Sequence, residues 1–340
     1  MDNAGIVVIG ASAGGVQALR TLVSGLPADF AGAVLITLHV SPSSPRLLPE
    51  ILRGAGPLPV RYAADGDAIE PGHIYVAPPD RHMLIEATGR LMLSRGPKEN
   101  HARPAIDPLF RSAAMVFGAR VVGVILTGGL NDGSSGLRAI KFCGGLAVVQ
   151  DPKEAEAPSM PASAMRVVDV DFCLPLAEIA SLLSRLVMEM GSKSVQVVEG
   201  IMRKALEIET GIAAEDESLR AGVVALGDPS LFTCPECHGA LLELHDKKPL
   251  RYRCHTGHAF TADSLLAAVR AYAEDTIWNT IRTLQETSML MLHMATHAQR
   301  NGDPTSADEL LQSARATQQR SDQIRNVHLQ PETIMAPTEL

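Results

Sequence analysis

Five short runs dominated by Val, Ile and Leu constrain this chain more than any other feature, at residues 6–9, 34–38, 74–76, 121–126 and 146–149. Near-continuous apolar strands belong in a sheet covered on both faces, because a sheet with one wet face alternates apolar and polar residues instead. The stretches between them, 15–26, 46–53, 104–117 and 136–142, carry apolar residues at helical spacing. Alternating strand and helix predicts a doubly wound, Rossmann-like parallel α/β sheet with right-handed crossovers. Residues 82–93 depart from the pattern, since apolar runs flank Thr88-Gly89. That predicts a β-hairpin near the sheet edge.

The character changes after Arg185. The expected organisation is an α/β domain over 1–190, a helix and acidic linker over 191–230, a Cys/His segment over 231–260, a helical hairpin over 261–326 and a disordered tail over 327–340. The linker contains a helical pattern at 198–212 and the connector AAEDESLRAG. Helical runs at 262–300 and 307–324 flank the turn NGDPTS. Leu265, Leu266, Val269, Ile277, Ile281, Leu284, Met291 and Leu292 form a stripe in the first run. Such a stripe predicts core or a seam for self-association or for a signalling partner, not a cofactor box.

Composition excludes some functions. A net charge of −8 and only 4% aromatics argue against nucleic acid as a partner, which would demand cationic and stacking surfaces. No apolar run is long enough to span a bilayer, and no basic region precedes the first apolar stretch. The expectation is a cytosolic (cytoplasmic) protein without membrane insertion.

The segment VVIGASAGG, at the end of the first predicted strand, satisfies G-x-S-x-G around Ser12. A Ser on a sharp strand-to-helix turn exposes its Oγ, and helix-start amides can face charge developing on an acyl oxygen. Taken alone, the motif leaves three readings open: a hydrolase nucleophile, a dinucleotide phosphate loop and a purely structural turn. The spacing is G-x-x-x-G-G, and the second strand ends in His39, where a ribose-binding acid would be expected.

His39 and Asp132 both fall just past the carboxyl ends of predicted strands, as Ser12 does. Ligands of open α/β sheets bind on that rim, so the three fit nucleophile, base and orienting acid. Singly, a strand-end His is more often a solvated or capping residue, and Asn-Asp-Gly more often only a turn. Their joint placement favours the catalytic reading.

GASAGG at 10–15, LHVSP at 38–42, DGDAIEPGHIYVAPPDRHM at 65–83, NHARPAIDPLFRSAA at 100–114 and LTGGLNDGSSGL at 126–137 resemble the catalytic domain of CheB-type chemotaxis protein-glutamate methylesterases. The resemblance runs in order from residue 5 to 186. It implies a doubly wound sheet, a catalytic triad of Ser12, His39 and Asp132, no cofactor for catalysis, and methylated chemoreceptors or related signalling proteins as substrates. It also implies glutamine deamidation, as in members of that family. Ala13 stands where the family usually has Thr, and Gly129-Leu130 where it often has Met-Gly. The first strand starts at residue 6, so the expected chain lacks the receiver domain usual in the family and control by its own phosphorylation. The expected oxyanion donors are amides around Ala13 or the 128–130 turn. Arg103 is a candidate for a carboxylate-rich substrate helix or for a surface salt bridge. The alternative function is a non-catalytic binding or regulatory module that keeps the fold.

Five cysteines are present. Cys143 and Cys173 lie in apolar surroundings and read as buried small hydrophobes. Cys234 and Cys237 form C-x2-C, and sixteen residues later comes C-x3-H with Cys254 and His258. This spacing predicts a closed structural zinc site on Cys234, Cys237, Cys254 and His258, with His255 the competing ligand. His238, His245 and His255 are expected to face solvent.

Overall fold

The computed structural model describes residues 5–190, 200–215, 222–245 and 248–329. The chain divides into two compact units, Met1–Leu266 and Ala267–Leu340.

In the first unit seven strands form one sheet: β1 (Ile6–Ala11), β2 (Ala33–Leu38), β3 (Val60–Tyr62), β4 (Ile74–Val76), β7 (Val121–Ile125), β8 (Leu146–Gln150) and β9 (Phe172–Leu174). The order is β3-β4-β2-β1-β7-β8-β9, and every pairing is parallel. β1 pairs with β2 on one side (Ala11 opposite Leu38) and β7 on the other (Gly10 opposite Ile125). The chain winds outward in opposite directions from these strands, so the β1/β7 edge is the switch point where a crevice opens.

Val7, Ile9 and Ala11 of β1 face a core shared with α1 (Gly15–Ser24), α2 (Leu48–Arg53) and α6 (Leu176–Met190). Ile6 and Val8 face the opposite core, with α3 (Ile106–Phe117), α4 (Ser134–Phe142) and α5 (Ser159–Val167). Every residue of β1 is buried, which is why the run shows no alternation. All five apolar runs are strands. β3 and β9 escape a search for such runs because each lies at an edge, with Arg61 and Cys173 exposed, whereas the equally short β4 is interior and wholly buried.

The hairpin of β5 (His82–Ile85) and β6 (Leu91–Ser94) forms as a separate two-stranded ribbon, bonded to the loop after the edge strand β3, where Gly66 N donates to the Leu91 carbonyl (2.8 Å) and Leu91 N to the Asp67 carbonyl (2.9 Å). Met83, Ile85 and Leu91 cover α3, joining its core. Cys143 is buried, whereas Cys173 is exposed on the edge strand β9 and corrects the expectation of a buried thiol. The expected helix at 198–212 is α7 (Ile201–Glu215), with residues 198–199 outside the described residues. Most of the acidic connector, 216–221, also lies outside them.

The Cys/His segment is a four-stranded antiparallel ribbon of β10 (Gly227–Thr233), β11 (Ala240–Leu244), β12 (Arg251–Cys254) and β13 (Ala259–Thr261), in that order. It belongs to the same compact unit as the parallel sheet. Its small apolar core holds Leu241, Tyr252, Phe260 and Leu265 beside two cysteines.

α8 (Ala262–Arg300) begins in the first unit and continues into the second, followed by α9 (Pro304–Leu329). The two helices make the expected hairpin. Its seam is Ile281, Ser288 and Ala295, one heptad apart, facing Ser321, Ala314 and Ala307, all buried. Ser288 Oγ donates to the Ala314 carbonyl at 2.9 Å. The seam therefore combines Ile281 of the predicted stripe with small residues, while Leu292 of the stripe is exposed. The expected tail starts inside α9, and residues 330–340 lie outside the described residues. Among the described residues no helix is long and apolar enough to cross a membrane.

Candidate active site and metal centre

Ser12 follows the last residue of β1 and is half-buried. Its amide donates to the Thr127 carbonyl (3.0 Å), and Thr127 Oγ1 donates to the Ala13 carbonyl (3.0 Å), so the turn is tied to the end of β7. Gly14 takes the turn into α1 with φ +72°, a backbone conformation that L side chains adopt at a cost. Gly128 lies against the nucleophile turn: a Cβ there would stand 2.9 Å from Ser12 Cβ and 2.5 Å from Met160 Cε. Only a glycine permits that approach.

His39 follows β2, its amide held by the Ala11 carbonyl at 3.1 Å. Its Nε2 meets Asp132 Oδ2 at 2.7 Å, with 19% of the His39 side chain exposed against 2% for Asp132. The structure thus brings His39 and Asp132 into contact and sets Ser12 at the end of the strand between theirs. Asp132 is an acceptor only, so Nε2 carries the proton and Nδ1 is the lone-pair nitrogen.

Asp132 also closes the N-terminus of α3. Ile106 N donates to Oδ2 (2.7 Å), while Asp107 N (3.4 Å), Gly133 N (3.0 Å) and Asn100 Nδ2 (3.0 Å) donate to Oδ1. Burial alone would raise this carboxyl, but the bonds from His39, Ile106 N and Asn100 hold it down to about 2. Burial, and then the charge of Asp132, push the Asp107 carboxyl well above its ordinary range. The two neighbouring carboxyls are thus pushed in opposite directions, Asp132 down and Asp107 up. Spacing gave no hint of this pair, because Asp107 comes from the loop-to-helix junction and not from a strand end.

Beside His39 opens a cavity of about 340 Å³, lined by Ser41, Lys98, Asn100, His101 and Arg103 among others. Arg103 does not stand free in it: Nε and Nη2 bond Asp80 Oδ1 (2.9 and 2.7 Å), and Nη1 bonds the carbonyls of Arg95 and Gly96. The salt-bridge reading of Arg103 is the one the geometry favours. Of the amides expected to meet an oxyanion, Gly128 N is already bound to the Ala157 carbonyl at 2.9 Å. Among the described residues, Ala13 N and Gly129 N make no hydrogen bond within the protein.

In the ribbon, one donor atom each of Cys234, Cys237, Cys254 and His258 lies within 4.8 Å of all the others. His255, His238 and His245 are exposed. Cys237 Sγ is 3.7 Å from Cys254 Sγ, and His258 Nδ1 is 3.7 Å from Cys234 Sγ and 3.5 Å from Cys254 Sγ. A tetrahedral zinc ion, bonded at about 2.3 Å to sulfur and about 2.0–2.1 Å to nitrogen, spans edges of about 3.8 and 3.6 Å. Three of the donor–donor edges match those of such an ion, and all four donors lie close enough together to hold one. His258 N donates to Cys254 Sγ (3.2 Å), a bond suited to a thiolate. Gly239 makes room for the second loop, since a Cβ there would fall 2.2 Å from the His255 ring.

A family model described as CheB methylesterase matches residues 7–183, just over half of the chain. A Leptospira interrogans protein, named provisionally protein-glutamate methylesterase/protein-glutamine glutaminase, is 42% identical over 180 residues, covering 53% of this chain and 93% of that one. A protein-glutamate methylesterase/protein-glutamine glutaminase of Geobacter metallireducens is 39% identical over 184 residues, covering 54% of this chain; the chain spans about half of that relative's length (53%). The crystal structure of the Thermotoga maritima CheB methylesterase catalytic domain aligns with a TM-score of 0.52 at 33% identity, covering 54% of this chain and 98% of that domain.

Proposed function

The chain belongs to the CheB methylesterase family, and from that premise we propose that it hydrolyses γ-glutamyl methyl esters on chemoreceptor-like signalling proteins through Ser12, His39 and Asp132. The contact between His39 Nε2 and Asp132 Oδ2 at 2.7 Å, beside the Ser12 turn, carries this reading.

Ser12 Oγ attacks the ester carbonyl while His39 Nδ1 takes its proton. Asp132, held charged, orients the ring through Nε2 and stabilises the imidazolium. The negative charge on the carbonyl oxygen faces the amides of Ala13 and Gly129, which are uncommitted within the protein. As the tetrahedral species collapses, the C–O bond to the methoxy group breaks and His39 gives its proton to the departing oxygen, releasing methanol. Water, deprotonated by the same nitrogen, then splits the acyl-enzyme, leaving a free glutamate and restoring Ser12. A glutamine side chain follows the same course with ammonia leaving.

Cys234, Cys237, Cys254 and His258 would hold a zinc ion as a structural element. With four protein ligands it would fix the two loops and leave no position for substrate.

A fluorophosphonate probe tests the catalytic reading directly. Labelling is expected on the full chain and lost in Ser12→Ala, with methanol released from a methylated receptor fragment. Absence of labelling on the unaltered protein would overturn it, and favour a non-catalytic module instead.

A further inference from the structure

The motif that the proposed reaction leaves unused, the Cys/His ribbon, reaches the catalytic acid through one side chain. Asn100 is almost fully buried, with 9% exposed. Its Nδ2 donates to Asp132 Oδ1 (3.0 Å) and faces Asp107 Oδ2 at 3.4 Å. Its Oδ1 accepts from Thr261 N (3.0 Å) and Ser264 Oγ (2.8 Å). The amide cannot be reversed, because one end meets a carboxylate and the other a backbone N–H. Asn100 N in turn donates to the Ala259 carbonyl (2.8 Å), and Ala259 N to the Lys98 carbonyl (3.2 Å). The loop carrying Asn100, at φ +50°, is thus held against β13 by backbone and side chain together.

A second contact lies on the other side of Asp132. Asn131 Oδ1 accepts from Thr261 Oγ1 (2.6 Å), and its Nδ2 donates to Asp263 Oδ2 (3.0 Å). Thr261 and Ser264 also cap α8 reciprocally: Ser264 N donates to Thr261 Oγ1 (3.2 Å), and Thr261 N to Ser264 Oγ (2.9 Å). This cap begins three residues after His258, the last of the four metal-type donors. The pocket wall is reached as well. Glu236, between Cys234 and Cys237, pairs with Lys98 (3.0 Å) and His101 (2.7 Å) beside His39.

We propose that Asn100 is a positioning residue that makes the geometry of Asp132 depend on a closed Cys/His ribbon. A ribbon opened at its four donors releases the Thr261–Ser264 cap, and with it the acceptor end of Asn100. Asp132 Oδ1 then loses an oriented donor, and the His39 ring loses part of what fixes it. The activity of this inference rests on the esterase reading above; the structural linkage does not.

The test uses the full chain, with hydrogen exchange and fluorophosphonate labelling followed over pH. Removing metal with a chelator is expected to speed exchange at residues 98–107 and 130–136 while strand residues 6–11 stay protected. Asn100→Ala is expected to slow labelling about tenfold, the worth of a hydrogen bond to a charged acceptor. It should also move the acid limb of the profile to higher pH, because Asp132 loses a donor that helps to hold its carboxyl down. Ser264→Ala, which leaves the four donors intact, should act in the same direction by about fivefold. Unchanged exchange at 98–107 after verified metal loss would overturn the proposal, as would acceleration spread equally over residues 6–11. An unshifted acid limb in Asn100→Ala would also overturn it. If the unaltered protein does not label, the esterase reading fails and the exchange comparison still decides the linkage.

Discussion

The parallel sheet and the antiparallel ribbon sit in one compact unit but are held together by different physics. In the sheet every β1 residue is buried and two apolar cores cover the faces, so polar groups need appear only at the rim. The ribbon has far smaller apolar cores: Leu241, Tyr252 and Phe260 with Leu265 of α8, and Leu244 against Ile212, Val223 and Leu226. Donor atoms suited to a metal and buried ions add to its cohesion. Arg251 grips Glu209 with two bonds (2.7 and 2.8 Å), and Arg253 reaches Glu209 (2.9 Å) and Glu99 (3.0 Å). Arg111 of α3 completes the cluster on Glu99 at 2.6 Å. A large apolar core can spend its polar residues on chemistry, whereas a small one needs them for structure.

That contrast can be broken at the ribbon first. Cys254→Ser should abolish stoichiometric zinc and strip hydrogen-exchange protection from β10–β13, with metal-binding free energy on the order of 10 kcal/mol at stake. Retained protection without zinc would show that the ribbon holds itself together as the sheet does. Next comes the rim. Asp132→Asn should lower kcat by about 10⁴-fold, equivalent to about 5.5 kcal/mol, while circular dichroism stays that of the folded chain. Unfolding instead would mean the rim is structural too.

The buried ions give a smaller effect. Glu209→Ala leaves Arg251 and Arg253 facing one carboxylate fewer and should cost about 3–5 kcal/mol in urea unfolding. A change under about 1 kcal/mol would remove ion pairing from the account of the ribbon.

The smallest effect separates the two regions by pH. The Asp132 carboxyl is held at about 2, below its ordinary 3.8, so its contribution is full above pH 4 and lost as pH falls toward 2. That contribution is about 2 kcal/mol. Urea midpoints of the unaltered chain and of Asp132→Asn should therefore converge as pH drops from 4 to 2. Parallel curves would put the acid sensitivity elsewhere.

The sequence showed the five interior strands plainly, because strands buried on both faces leave an uninterrupted apolar trace. It missed β3 and β9, whose edge positions tolerate Arg61 and an exposed Cys173. The residues proposed for catalysis were legible because strand ends share one rim in a parallel sheet. Asn100 and Asp107 were not, since their contacts with Asp132 join a loop, a helix start and a turn with no common period. The helical seam was legible only in part, through Ile281. Ser288 and Ala295 are too small to stand out beside Met291 and Leu292, yet small residues allow two helices to approach.

By itself, then, the sequence determined the doubly wound sheet, the Ser12 turn on its carboxyl rim and a four-donor Cys/His set, because each is written in local periodicity or spacing. Tertiary structure decided that His39 meets Asp132 through Nε2, that the Asp107 carboxyl is pushed up while that of Asp132 is held down, and that the ribbon leans on Asn100. Those outcomes depend on which buried groups share a few ångströms, and distance through space leaves no period in the chain.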